Sequence, residues 1–193
     1  LQGKKSMMNQ AGVQIAMGHE GHLGMDTKAS KGAKNFSKMQ ERLVVSKGFQ
    51  NQLKLVFNEY ITLKNALVRE DSKDVMRTSK KLLAFLSKVD VKLLEKKEAR
   101  NHWIALEKEI QLVATLISNT AQIKAQRNYF KQVSAAVINS VQIFGVNEKV
   151  FITFCPMADG DKGAYWISKD EKVINPYFGN AMLTCGEVKQ VIE

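Results

Sequence analysis

The sequence predicts a mainly α-helical protein, in which an antiparallel up-down four-helix bundle precedes a small C-terminal β-hairpin and loop element. Three observations lead to this prediction. Apolar residues recur at spacings of three and four over four consecutive segments, as they do on amphipathic helices. The chain of 193 residues contains only two prolines. Finally, the helical period is lost after Gly145.

The first 35 residues differ from the rest of the chain. Residues 1–35 are rich in Gly, Ser, Lys and Met and have no sustained period, so we expect a flexible linker or tail. Residues 36–193 are assigned to the bundle, up to about residue 147, and to the C-terminal element, 148–193. The chain opens without Met or the apolar core of a signal peptide, which suggests a piece of a longer protein or a processed product.

Each expected helix carries one apolar stripe. Residues 69–72 break the pattern after the first stripe and offer capping residues for the second helix. Ser118, Asn119 and Thr120 offer an N-cap for the fourth helix, and Gly145 is well placed to end it. The third stripe is close to a heptad repeat. In chain order, the stripes cover residues 49–67, 75–89, 99–117 and 123–144.

After Gly145 the pattern favours strands. Residues 150–154 and 164–167 are rich in β-branched and aromatic side chains, and residues 158–163 between them have turn chemistry, which predicts a β-hairpin. Residues 175–180 are expected to form a loop. For residues 187–192 both a short strand and a helical turn remain open.

Charge and motifs limit the classes of function. The 29 Lys and Arg against 19 Asp and Glu give a formal net charge of +10, which raises the expectation of an anionic partner. The basic residues are scattered, however, and no nucleic-acid-binding pattern accompanies them, so we expect a solvated face and no nucleic-acid partner. No segment approaches the roughly 20 apolar residues of a membrane span. The common phosphate-loop, zinc-protease and nucleophile-elbow motifs are missing from the sequence, and we expect no enzyme.

Four sulfur-containing residues lie in the C-terminal element: Cys155, Met157, Met182 and Cys185. Thiolates and thioethers are soft donors that favour copper(I) or silver(I). If residues 155–157 are extended, the side chains of Cys155 and Met157 point to the same side, and Met182 and Cys185 can converge within one helical turn. A structural disulfide, unreactive thiols and methionines that merely pack remain alternatives.

A second set of candidate metal ligands lies near the start of the chain. Met17, His19, His22 and Met25 fall within nine residues that also contain glycines. Imidazole and thioether together suit copper, and glycines allow a segment to wrap around an ion. The alternative is a histidine-containing linker without a metal role. His102 has no second ligand at helical spacing and is interpreted as a packed or surface histidine.

Several segments of the tail, taken in order, carry a resemblance to a known family. They resemble a domain, formerly of unknown function, at the C-terminus of periplasmic adaptors (membrane fusion proteins) of heavy-metal efflux pumps of the resistance-nodulation-division class. The resemblance extends from about residue 36 to residue 192 and is most specific in the tail. The segments are residues 126–130, 154–158, 163–168, 174–179 and 182–188.

This resemblance implies a periplasmic location and two kinds of partner, an inner-membrane pump and an outer-membrane channel, with adaptor self-association as a further option. It also suggests Cys155, Met157, Met182 and Cys185 as the metal-associated set. The leading hypothesis is a module that binds copper(I) or silver(I) and relays it to the pump. The alternative is a docking domain with a Cys155–Cys185 disulfide and no metal role, and a site that switches between the two states is a third option.

Overall fold

A computed structural model describes residues 42–193, all of which belong to one compact unit. The fold is mainly helical and ends in a small antiparallel sheet, as the sequence predicts. None of the helices between residues 42 and 193 is long and apolar enough to cross a membrane. The four long helices are α1 (Lys47–Val68), α2 (Ser72–Leu86), α3 (Lys97–Ser118) and α4 (Ile123–Phe144).

The helix ends follow local capping chemistry, with one departure from the prediction. The Asp71 side chain accepts a hydrogen bond from the backbone N–H of Asp74 at 2.9 Å and caps α2 as expected. Gly145, with φ of 72°, ends α4 as predicted. The expected Ser, Asn or Thr cap of α4 was wrong: the N-cap is Gln122, whose side chain makes no capping bond. The Thr120 hydroxyl instead accepts from the N–H of Gln122 at 3.3 Å, so the expected capping residue lies two positions before the N-cap.

The connection between α2 and α3 also differs from the expected pattern. The second apolar stripe reaches Val89, but α2 ends at Leu86. The N–H groups of Lys88 and Val89 bond to carbonyls three residues back, which tightens the last turn. A 3₁₀ turn then follows at Val91–Leu93, and the Asp90 carboxylate caps it. Val89 remains buried although it lies outside the helix.

The C-terminal element is a three-stranded antiparallel sheet in the order β2-β1-β3. Strands β1 (Val150–Cys155) and β2 (Ala164–Ser168) form the predicted hairpin, which turns through the short α5 (Ala158–Asp161). Strand β3 (Glu187–Ile192) pairs with the other edge of β1. The open alternative for residues 187–192 is therefore resolved in favour of a strand.

Consecutive helices pack against each other, and α1 also contacts α4. Phe49 at the start of α1 packs edge-on against Trp103 of α3 and Phe144 at the end of α4, with ring centroids 5.2 and 5.1 Å apart. Arg127, near the start of α4, donates to the Glu70 carboxylate just beyond α1 at 2.9 Å. α1 and α4 therefore meet at both ends of α1.

Tyr60 of α1 joins these helices to the sheet. Its ring is buried and stacks on Phe130 of α4 at 5.3 Å. Its hydroxyl lies 2.8 Å from the Ser134 hydroxyl and accepts the backbone N–H of Ile167 in β2 at 3.2 Å. Burial raises the pKa of Tyr60, which keeps the hydroxyl protonated. A single side chain thus links α1, α4 and β2.

Lys64 lies one turn further along α1 and is also buried under the sheet. Its exposed fraction is 4%, and its ammonium donates to the Ser168 hydroxyl at 3.5 Å. Burial lowers the pKa of Lys64, and the charge of Asp170 opposes this only in part. The boundary between the helices and the sheet therefore contains a buried cation whose desolvation is only partly compensated by nearby negative charge.

We expect Tyr60→Phe to lower the free energy of unfolding by about 1–3 kcal/mol, because the buried N–H of Ile167 would lose its acceptor. Tyr129→Phe is the matched control, since this half-buried tyrosine of α4 makes no hydrogen bond among residues 42–193. Urea unfolding of both variants measures the difference. Equal stabilities for the two variants would contradict the proposed role of the Tyr60 hydroxyl.

Lys64→Met is expected to stabilise the fold at neutral pH, with the advantage shrinking as the pH rises. Between the lowered pKa of Lys64 and its ordinary value the unfolded chain binds more protons than the folded one, so the parent gains stability with increasing pH in this window. The exposed Lys80→Met serves as control. Urea unfolding at several pH values checks the trend, and a pH-independent difference would argue against it.

Candidate functional site

The structure brings Cys155 and Cys185 together from positions 30 residues apart. Cys155 is the last residue of β1 and is buried, whereas Cys185 precedes β3 and is half-buried. Their Sγ atoms lie 2.9 Å apart, and both residues are free thiols. The two thiols are therefore in contact, a pairing that the sequence suggested only through the disulfide alternative and the metal set implied by the resemblance.

The register of β1 with β3 accounts for this contact. The pairing shifts after Ile152, which opposes Gln190, whereas Thr153 opposes Val188. Lys189 is thereby left over as the extra residue of a β-bulge. Without this bulge, the end of β1 would lie one residue further from Cys185.

Gly186 lets the two strands approach beside the thiols. Its φ of 137° is a conformation that side-chain-bearing residues rarely adopt. A Cβ atom at this position would lie 2.9 Å from the Phe154 carbonyl oxygen and 2.9 Å from the Trp166 ring. Glycine is therefore required immediately after Cys185.

Asn175 fixes the segment that carries Cys185. It is fully buried, and its side-chain amide donates to the Cys185 carbonyl at 2.8 Å. Its backbone N–H donates to the Leu183 carbonyl at 2.8 Å. Its side-chain oxygen accepts the N–H of Tyr177 at 2.7 Å. The sequence marked this residue only as part of a loop, although a buried Asn before Pro is a known turn former.

Aromatic side chains pack beside the segment that carries Cys185. Tyr177 is buried between Trp166 of β2 and Phe130 of α4, with centroid distances of 5.9 and 5.8 Å. Its hydroxyl donates to the Tyr165 carbonyl at 2.5 Å. Burial raises the pKa of Tyr177, so the residue stays neutral and contributes an apolar wall.

The two methionines of the tail occupy different positions relative to the thiols. The extended geometry considered for residues 155–157 is not found, because β1 ends at Cys155 and Met157 has φ of −81° and ψ of −11°. Met157 is 45% exposed and lines an open groove beside α4. Met182 is half-buried, and its carbonyl accepts the N–H of Cys185 at 3.1 Å. Met182 and Cys185 therefore share the tight turn that the spacing suggests.

The other predicted metal ligands lie near the start of the chain. Met17, His19, His22 and Met25 lie outside the described residues. His102 is half-buried on α3. Within residues 42–193, no group of three or more His, Cys, Asp or Glu residues is arranged to hold a metal ion.

The neighbouring sulfur controls the acidity of the accessible thiol. The contact with Cys155, followed by desolvation, raises the pKa of Cys185. A soft metal that binds here would therefore have to displace a thiol proton, and its affinity would increase with pH.

Comparison with known proteins gives one match. Residues 56–149 match the model of a family described as "Protein of unknown function (DUF3347)". The match covers slightly less than half of the chain, begins within α1 and ends immediately before β1. No curated protein and no solved structure matches the chain. The similarity thus lies in the helices and does not include the two cysteines.

Asn175→Ala is expected to lower the free energy of unfolding by about 1–3 kcal/mol and to increase the reactivity of Cys185 toward a small alkylating agent. The substitution leaves the buried Cys185 carbonyl and Tyr177 N–H without their partner. Asn180→Ala, at an exposed position of the same loop, is the control. Urea unfolding and alkylation rates report both effects, and unchanged alkylation would show that Asn175 does not position Cys185.

Proposed function

We propose that this chain is the metal-binding module of a heavy-metal efflux adaptor and that it binds a soft monovalent cation, copper(I) or silver(I), at Cys155 and Cys185. The observation that carries the proposal is the contact between two sulfur atoms from separate parts of the sequence, 2.9 Å apart and partly shielded from water. A small outward rotation of the two side chains would make room for an ion between the sulfurs.

The donor set favours a soft metal. Thiolates select copper(I) over hard cations, and copper(I) accepts few ligands. Structural zinc sites usually have four ligands, and the described residues supply no third His, Cys, Asp or Glu at this position. The apolar walls formed by Trp166 and Tyr177 would disfavour a hydrated divalent ion.

The other candidate ligands take supporting roles in this proposal. Met182 shares the turn with Cys185 and is the nearest source of a third, thioether ligand along the chain. Met157, exposed at the edge of the sheet, would receive or release the ion at the surface. Met17, His19, His22 and Met25 would collect metal and pass it to the thiols.

The adaptor assignment rests on the sequence resemblance. In this proposal the chain works in the periplasm between an inner-membrane pump and an outer-membrane channel, with adaptor self-association as a further option. The proposed module carries metal and performs no catalysis. The antiparallel up-down arrangement is part of the same proposal. It is supported by the contacts at both ends of α1, where Phe49 meets Phe144 and Glu70 meets Arg127.

A second candidate function is favoured by the same sulfur contact. The sulfurs need to move by only about 1 Å to reach the length of a covalent bond, and the described residues provide no other charged or imidazole ligand. In this case Cys155 and Cys185 form a permanent disulfide in a docking domain without a metal role. Closing the loop would stabilise the fold by about 3–4 kcal/mol in the chain-entropy description.

Titration of the reduced chain with copper(I) against a chromophoric chelator tests the metal proposal. Cys155→Ser with Cys185→Ser should weaken binding at least about 100-fold, because both thiolates are removed. Met157→Leu and Met182→Leu are volume-matched variants that test the thioethers separately. Deletion of residues 17–25 tests the N-terminal ligands. Undiminished binding by the double cysteine variant would contradict the proposed site.

Thiol counting in the chain as isolated separates the two functions. Two reactive thiols and tight copper(I) binding support the metal module. If the two cysteines react only after strong reduction, and the chain does not compete for copper(I), the docking domain with a Cys155–Cys185 disulfide is supported.

A further inference from the structure

The two thiols at the end of the central strand differ sharply in access. Cys155 has no exposed surface and is held in β1 by pairing with Ala164. Cys185 is half-buried and lies in the turn before β3. The chain contains no other cysteine, so every thiol reaction of this protein takes place at one of these two sulfurs.

We infer that the pair exchanges with disulfides of small thiol compounds, with Cys185 as the attacking sulfur and Cys155 as the resolving sulfur. This inference does not rest on metal binding, because it needs only the two thiols and an external disulfide. If the metal proposal also holds, oxidation would release the ion, since the bonded sulfurs could no longer coordinate it as thiolates.

The exchange proceeds in two balanced steps. First, the Cys185 thiolate, after loss of its proton to water, attacks one sulfur of an external disulfide. A mixed disulfide forms on Cys185 and one external thiolate leaves. Second, Cys155 loses its proton to water, and its thiolate attacks the Cys185 sulfur and expels the other external thiolate, and the two external thiolates take up the two released protons. The protein loses two hydrogens and two electrons, and the external disulfide is reduced to two thiols.

The geometry assigns these roles. A bulky disulfide can reach the half-buried Cys185, but it cannot reach the fully buried Cys155 without local opening. Cys155 lies 2.9 Å from Cys185, which leaves it positioned to displace a group bound there. Asn175 holds the Cys185 carbonyl and so keeps this sulfur beside Cys155 while the mixed disulfide exists.

Reaction of the reduced full chain with dithiobis(nitrobenzoate), without metal, tests the inference. The parent should release about two equivalents of coloured thiolate and lose the mass of two hydrogens, without a lasting adduct. Cys155→Ser should release about one equivalent and keep a stable adduct on Cys185. Cys185→Ser should react at least about 100-fold more slowly than Cys155→Ser when folded, and equally fast in denaturant.

A readout on the parent chain avoids dependence on folded variants. Acid quenching early in the reaction, followed by peptide mass spectrometry, should find the first adduct on Cys185. A first adduct on Cys155, equal rates for the two folded variants, or a lasting double adduct on the parent would overturn the inference. Failure to bind copper(I) would leave this result unchanged, so the two proposals fail independently.

Discussion

The aromatic contact between Tyr60, Phe130 and Tyr177 is the interaction on which the arrangement of helices and sheet depends. Tyr60 and Phe130 stack between α1 and α4, and Phe130 also packs against Tyr177 from the C-terminal element. The Tyr60 hydroxyl adds a bond to the backbone of β2. Because Tyr177 is bonded to Asn175, and Asn175 to the carbonyl of Cys185, the packing of the helices reaches the dithiol through a short series of contacts.

The two chemistries proposed for the dithiol have the same physical basis. Two sulfurs held together at the end of a central strand are close enough to bond to each other and close enough to share an ion. The two outcomes exclude each other, since a disulfide removes the thiolates that a soft metal requires. If both proposals hold, the redox conditions around the protein would determine whether the two sulfurs bind a metal or form a disulfide.

Much of the fold could be predicted from local patterns. The apolar stripes identified the four helices, Asp71 and Gly145 marked two of their ends, and the change of period after Gly145 identified the hairpin. These features depend on neighbours within a few residues. The cap of α4 was mispredicted because Ser118 still belongs to α3, which moved the helix boundary past the expected capping residues.

The site could be predicted only in part. Soft donors were visible in the composition of the tail, but the contact between Cys155 and Cys185 depends on the pairing of β3 with β1 and on the bulge at Lys189. Sequence spacing does not encode such a register. The role of Asn175 was missed for the same reason, since its partners become neighbours only when the turn folds against the sheet.

The position of the thiols has a consequence for cooperativity. Both sulfurs belong to the C-terminal element, so a bond between them closes a loop within that element and does not tie it to the helices. Such a bond would oppose local opening of the sheet directly. The helices would share in the gain only through their contacts with the sheet and its loops, which include those of Tyr60, Lys64 and Phe130. Oxidation would therefore slow hydrogen exchange of the sheet amides more than hydrogen exchange of the innermost helical amides.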